Sequence, residues 1–288
     1  MGQKITLADL VIQSNINKRF QYSGIDSIDA CANRAHFLSY PHNIEYTYNS
    51  RGFRDQEWPE SQCELRDAVW CVGDSFTVGL GSPFMHTWPQ RVSAASNRRI
   101  VNVSMDGASN DWIIRVTEAI AKEVNPTNII IMWSYTHRRE RPDSSLSSEL
   151  RRLPFARATV EDDWQNFSDC RQRLGPLDSN IVEFVIPHFH ATLNSDLEEL
   201  WQKLRGESWP PRPPVNINEL NNLPTNILAE LENVHGQLDY LRDHLATIEL
   251  LKQQNIIPVE SMDLARDAHH FDIITADWVA ELAVTRLV

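Results

Sequence analysis

The chain has 288 residues, 42% of them hydrophobic, and a formal net charge of −12. That length supports one large domain or two modest ones. The acidic balance excludes non-specific binding to nucleic acid or to an anionic membrane, both of which need a basic face. No apolar run reaches the ~18 residues that would mark a bilayer span.

The first residues, Met1 to Leu10, lack the charged start, apolar run and cleavage site of a secretory signal, so a cytoplasmic location is expected. Gly2 and Thr6 fit a loose myristoylation pattern, which is short enough to arise by chance. Cys31, Cys63, Cys71 and Cys170 are scattered without a CxxC pair. Cys71 lies in an apolar run, where a buried free thiol is expected. Cys31 and Cys63 could bridge in an oxidising compartment, but the reduced state is the expectation.

Residues 1–60 are polar and aromatic with no sustained period, and are expected to form an arm packed on the main domain at 61–288. Within the arm, Ile44 to Tyr48 alternates as a short strand would, and Asn49 to Asp55 reads as a turn with Gly52 at positive φ. From Ala68 onward strand and helix patterns alternate. Strands are expected at Ala68–Val72, Arg99–Val103, Asn128–Trp133, Ile181–Ile186 and Ile256–Val259, with helices at Pro89–Ala95 and Asp111–Glu123. The third strand is almost wholly apolar, as expected when both faces of a parallel sheet are covered. A final amphipathic helix over Asp272–Leu287 would carry Ile274, Trp278, Leu282 and Val284 on its apolar side. A helical insertion is expected at about 138–255. Within it, Trp209-Pro-Pro-Arg-Pro-Pro214 cannot be helix, and Leu228, Leu231, Leu238, Leu241, Leu245 and Ile248 mark a long helix over Ile227–Leu251.

The chemistry concentrates at Gly73-Asp-Ser-Phe-Thr-Val-Gly79. A serine on a tight turn after a parallel strand, with unpaired backbone N–H groups behind it, suits a nucleophile and half an oxyanion hole. Ser75 then needs a histidine base and a carboxylate to orient it. Of the ten histidines, those in Arg266-Asp-Ala-His-His-Phe-Asp272 are best placed, because that loop follows the fifth strand on the same sheet rim.

Gly73-Asp-Ser-Phe-Thr-Val-Gly79 resembles the first sequence block of the SGNH, or GDSL, hydrolase family. Asp267-Ala-His-His270 is similar to that family's closing D-x-x-H block. Asn102-Val-Ser-Met-Asp-Gly107 is similar to the block whose glycine N–H lines the oxyanion hole, and Asn49 to Asp55 to a stretch that precedes the serine in some members. The resemblance covers roughly 49–133 and 258–288. It implies a three-layer α/β/α sandwich with a parallel, flavodoxin-like central sheet of about five strands. It also implies an esterase with Ser75 as nucleophile, His270 as base, Asp267 as its orienting carboxylate, and no cofactor. The oxyanion would be held by the N–H groups of Ser75 and Gly107.

Where the family has G-x-N-D, this chain has Ser134-Tyr-Thr-His137, with Thr136 in place of the asparagine. Either the Thr136 hydroxyl substitutes, or Asn110 reaches in, or catalysis is weak; losing one oxyanion donor costs about a hundred- to thousandfold. The substrate implied is a short acyl ester, such as an O-acetyl group on carbohydrate. Two other readings stand beside it: a binding or structural module on the same fold, and acyl transfer to an alcohol with the same residues. His188 and His190 follow the fourth strand and could contact substrate, although an H-x-H pair on a loop is more often structural. Arg138-Arg-Glu140, after the third strand and near the rim, reads as ion-paired rather than as recognising a substrate anion. Asp263, Asp267, His269, His270 and Asp272 could ligate a metal by composition, but their spacing fits no familiar signature, and no metal is expected. If the register slips by one, His269 is the base.

Overall fold

The computed structural model describes residues 5–21, 42–136, 138–140, 160–186, 216–233, 237–259, 263, 265–267 and 269–288. Its centre is a parallel sheet of five strands: β3 (Val69–Gly73), β4 (Ile100–Ser104), β5 (Asn128–Trp133), β6 (Asn180–Val185) and β7 (Ile257–Pro258). They run across the sheet in the order β4-β3-β5-β6-β7. Counted along the chain this is the 2-1-3-4-5 order of flavodoxin-like sheets, whose ligand crevice opens where the order reverses, at the carboxyl ends of β3 and β5. Val69 pairs with both Ile100 and Asn128, so the three strands that frame the crevice are in register.

Successive strand residues point to opposite faces, and each face has its own core. Trp70, Val72, Val101, Val103, Ile129, Ile131 and Trp133 face one way. There they meet Ile113, Val116 and Ile120 of α4 (Asn110–Glu123) and Phe167 of α5 (Val160–Gln172). Val69, Cys71, Ile100, Ile130, Met132 and Phe184 face the other way. Their cover is Trp88 and Val92 of α3 (Trp88–Ser96) and the inner side of α9 (Ile273–Val284). The three layers are therefore α4/α5, the sheet, and α3/α9. Among the described residues, two further α-helices precede α4: α1 (Gln62–Asp67), capped by Ser61, and the single turn α2 (Ser75–Val78).

The last helix differs in part from expectation: Leu282 and Val284 pack against the core, but Ile274 and Trp278 do not lie on the buried side. Its buried residues are Thr275, Ala276, Val279, Ala280 and Ala283, whereas Ile274 is 73% and Trp278 38% exposed. Alanines let α9 lie close against α3, so the inner side is chosen by size as well as by hydrophobicity. The expected single helix over 227–251 is also two helices, α7 (Thr225–Asn233) and α8 (Gln237–Gln253), on either side of residues 234–236. With α6 (Ile217–Asn221), which sequence periodicity missed, they bury a satellite cluster of Leu220, Ile227, Leu231, Leu241 and Leu245. The stretch expected as an insertion at about 138–255 thus contains α5 and β6, which belong to the central sandwich. In the arm, β1 (Arg19–Phe20) pairs antiparallel with β2 (Tyr46–Thr47), and Gly52 turns at φ 80.

Candidate active site

The turn after β3 is built for close approach. A Cβ on Gly73 would stand 2.0 Å from Thr77 Oγ1 and 2.9 Å from the Met132 carbonyl. Asp74 caps α2, its Oδ1 accepting from Phe76 N–H at 3.0 Å. Its other oxygen accepts from Ser134 Oγ at 2.5 Å and from Arg138 Nη1 at 3.4 Å, which ties the β3 and β5 loops together. Ser75 opens α2 and is 3% exposed. Gly79 closes that turn in the left-handed region, where an added Cβ would strike Thr87.

Asp267 and His270 meet in the turn before α9. Oδ1 of Asp267 accepts the backbone N–H groups of His269 and His270, both at 3.0 Å, while Oδ2 lies 2.5 Å from His270 Nδ1. Burial alone would raise this carboxyl. The hydrogen bond and charge of His270 and the two backbone donors outweigh burial and hold it below its ordinary value. His270 Nε2 is buried with no hydrogen-bond partner among the described residues. The imidazole rests against the ring of Phe76, the residue after Ser75, with centroids 4.7 Å apart in a T-shaped contact. His269 turns elsewhere, its Nε2 3.3 Å from the Tyr135 hydroxyl. Burial, then the neighbouring His270, keeps His269 below the usual imidazole value, with Arg138 adding to the effect. The other two acids of this segment have separate work. Asp263 accepts from Ile274 N–H, Thr275 N–H and Thr275 Oγ at the start of α9, and Asp272 accepts from Ser82 Oγ at 3.0 Å.

Gly107 lies in the loop after β4 at φ 67, in a turn closed by Ala108 N–H to the Met105 carbonyl. Asn110 is fully buried at the start of α4. Its Nδ2 donates to the Tyr135 carbonyl at 3.0 Å, and its Oδ1 accepts Ser134 N–H at 3.0 Å. The amide thus grips the backbone of the β5 loop immediately before the buried Thr136. The same loop continues into ion pairs. Arg138 reaches Asp74, Arg139 lies 3.3 Å from Asp163, and Glu140 accepts both terminal nitrogens of Arg115. His188, His190, Cys31 and the Trp209 to Pro214 segment lie outside the described residues.

Among the described residues no three His, Cys, Asp or Glu side chains are arranged to hold a metal ion, and no helix is long and apolar enough to cross a membrane. A cavity of about 460 Å³ opens beside β6, lined in part by Arg171, Glu183 and Gln254. Arg171 bonds both Glu183 and Gln254, so these polar groups satisfy one another, and none of the residues described above lines it.

Sequence reasoning did not single out Tyr135, Tyr46 or Arg54, whereas it expected Arg138 as an ion-paired residue near the rim, and the ion pair to Asp74 is present. Tyr135 and Arg138 form the wall beside Asp74 and His269, with the guanidinium 4.9 Å from the Tyr135 ring centroid. Tyr46 and Arg54 reach in from the arm: Arg54 donates to the Val78, Gly79 and Ser82 carbonyls, and the Tyr46 hydroxyl accepts Gly81 N–H. The Asn49 to Asp55 stretch was the signal available for Arg54.

The fold and site define a three-layer α/β/α protein with a buried serine at the switch point of its sheet and an aspartate–histidine pair in the loop after the last strand. No family model matches the sequence, and no curated protein matches it. Solved structures do. One is a protein assigned to the lipolytic G-D-S-L family from Desulfitobacterium hafniense DCB-2, at 13% identity and TM-score 0.42 over 76% of this chain and 99% of that one. Another is a lipase/acylhydrolase from Enterococcus faecalis, at 11% identity and TM-score 0.38 over 76% and 94%. A third is a carbohydrate esterase family 2 enzyme with a carbohydrate-binding domain from Corynascus thermopiles (Myceliophthora fergusii), at 12% identity and TM-score 0.36 over 81% and 67%.

Proposed function

We propose that this chain is a serine esterase of the SGNH type, with Ser75, His270 and Asp267 as its triad. The observation that carries the reading is the Asp267–His270 pair. With Nδ1 held by the carboxylate, Nε2 of His270 is the ring nitrogen left for the substrate side, and among the described residues that atom is buried without a hydrogen-bond partner beside the residue that follows Ser75. Ser75 Oγ attacks the ester carbonyl carbon as its proton passes to Nε2, and Asp267 stabilises the imidazolium that forms. The tetrahedral oxyanion is held by the N–H groups of Ser75 and Gly107, with the Thr136 hydroxyl as third donor and Asn110 fixing the loop that carries it. Collapse expels the alcohol, protonated by His270, and leaves an acyl-serine. Water activated by the same imidazole releases the acid. The reaction needs no cofactor.

Tyr135, His269 and Arg138 make the neighbouring wall polar, which favours short acyl esters, O-acetyl groups on carbohydrate among them, over long-chain lipid. Acyl transfer to an alcohol uses the same residues and is separated by product analysis with acceptor sugars present. Thr136 in place of an amide favours a second reading, a binding module with little catalysis. A serine-directed fluorophosphonate and a p-nitrophenyl acetate assay decide between them. The esterase reading expects labelling and turnover that Ser75→Ala abolishes. Folded protein that takes no label, or Ser75→Ala with full activity, ends it.

A further inference from the structure

Arg54 is 1% exposed, and its guanidinium is spent on backbone carbonyls. Nη1 donates to the carbonyls of Val78, at 3.1 Å, and Gly79, at 2.5 Å. Nη2 donates to those of Ser82, at 2.9 Å, and Glu45, at 3.4 Å. The guanidinium lies over the Tyr46 ring, 4.2 Å from its centroid, and the Tyr46 hydroxyl accepts Gly81 N–H at 2.8 Å. Two arm side chains therefore hold residue 78, the last of the serine's helical turn, and residues 79, 81 and 82 directly after it. That turn is too short to satisfy its own carbonyls. The planar, multiply donating guanidinium serves the carbonyl of Val78, at the end of the turn, and those of Gly79 and Ser82 beyond it from one point.

The gripped loop touches the other half of the site. Gly81 accepts from Arg266 N–H at 3.2 Å, and a Cβ at Gly81 would stand 2.9 Å from Asp267 Cγ. Ser82 Oγ donates to Asp272. Residues 79–82 are thus the spacer between Ser75 and the Asp267–His270 turn. The next arm residue, Asp55, works on β4, the strand that leads to Gly107. Its Oδ2 accepts Asn102 N–H at 3.0 Å, and both oxygens bond Arg99. Asn102 in turn donates to the carbonyls of Arg54, at 3.4 Å, and Thr77, at 3.2 Å.

We propose that Arg54 and Tyr46 are positioning residues of the reaction: the amino-terminal arm sets the spacing of Ser75 against His270, and Asp55 registers the Gly107 strand to the same frame. The inference rests on the esterase reading and adds that the arm belongs to the catalytic unit. A misplacement of about 1 Å costs on the order of a hundredfold in rate, so loosening this grip must show in turnover before it shows in binding.

The test uses the full chain and the variants Tyr46→Phe, Arg54→Lys and Ser75→Ala. It measures fluorophosphonate labelling rate, kcat and KM on p-nitrophenyl acetate, and the melting temperature, with kinetics taken well below each variant's melt. Tyr46→Phe keeps the ring and removes the hydroxyl that accepts Gly81 N–H. The expected result is a kcat about tenfold or more lower in both arm variants, labelling slowed in step, and KM within about twofold. Folded arm variants that label and turn over at wild-type rates overturn the inference. If Arg54→Lys does not fold, Tyr46→Phe alone decides. Wild-type protein that labels no faster than Ser75→Ala removes the esterase reading itself, a failure visible without any arm variant, and the positioning role falls with it.

Discussion

His269 and His270 are adjacent in sequence, yet their side chains are committed to different partners. Asp267 spends one oxygen on two backbone N–H groups and the other on His270 Nδ1, so the D-x-x-H turn brings only the second histidine's ring to the carboxylate. His269 is spent on Tyr135. His270→Ala is therefore expected to lower kcat by about 10⁴-fold, and His269→Ala by less than about tenfold, read from ester turnover and fluorophosphonate labelling. Equal losses would mean that the base has been misidentified. Gly81 supplies a second test at this scale. It has φ 76, and an added Cβ would stand 2.7 Å from Ala265 Cβ as well as close to Asp267. Gly81→Ala should displace the Asp267 turn, costing about 1–3 kcal/mol of stability and about a hundredfold in kcat. The serine turn and the Asp267–His270 contact were legible because their geometry depends on short-range spacing. Arg54 and Tyr46 were not, because contacts to backbone carbonyls and N–H groups 24 to 35 residues away leave no periodic trace.

The five strands of the central sheet were legible almost to the residue, since β-branched runs between turn signals leave little choice when both faces of a sheet are covered. Helix α9 was legible in extent and in Leu282 and Val284, which pack against the core, but misread at Ile274 and Trp278. Ranking by side-chain hydrophobicity chose Ile274 and Trp278, whereas contact with α3 needed a thin face, and Ala276, Ala280 and Ala283 provide it. Replacing Ala280, which is 3% exposed, by leucine should overpack that contact and cost about 1–3 kcal/mol. Ile274→Ser, on the exposed side, should stay within about 0.5 kcal/mol. Urea denaturation distinguishes them, and the reverse ranking would mean that the helix is rotated. The split of the long helix into α7 and α8 was missed for a related reason: leucine spacing continues across the interruption, so periodicity alone cannot see it.

Across the whole molecule, the arm, the sheet rim and the last helix converge on Asp272, which links fold stability to pH. Its carboxyl accepts from Ser82 in the loop that Arg54 holds, and it precedes the first turn of α9. Burial pushes its pKa up to about 6 despite the Ser82 hydrogen bond, and the nearby Asp263 charge adds to the rise. A carboxyl whose folded pKa exceeds its ordinary 3.8 binds a proton more tightly in the folded state. Between about pH 4 and pH 6 the folded protein therefore holds a proton that the unfolded chain has released, and stability falls as pH rises through that window. Asp267 acts in the opposite sense. Its lowered pKa stabilises the fold at neutral pH, and that contribution is lost only in stronger acid. Asp272→Asn can still accept the Ser82 hydrogen bond but cannot ionise. Acidification from about pH 7.5 to pH 4.5 should then stabilise the wild type relative to this variant by up to about 2 kcal/mol, allowing for residual solvent screening. Urea midpoints for the two proteins across that range measure the difference. Parallel pH profiles would show that Asp272 titrates in the fold as it does in the open chain, and that the Ser82 contact stabilises the anion as well as water does.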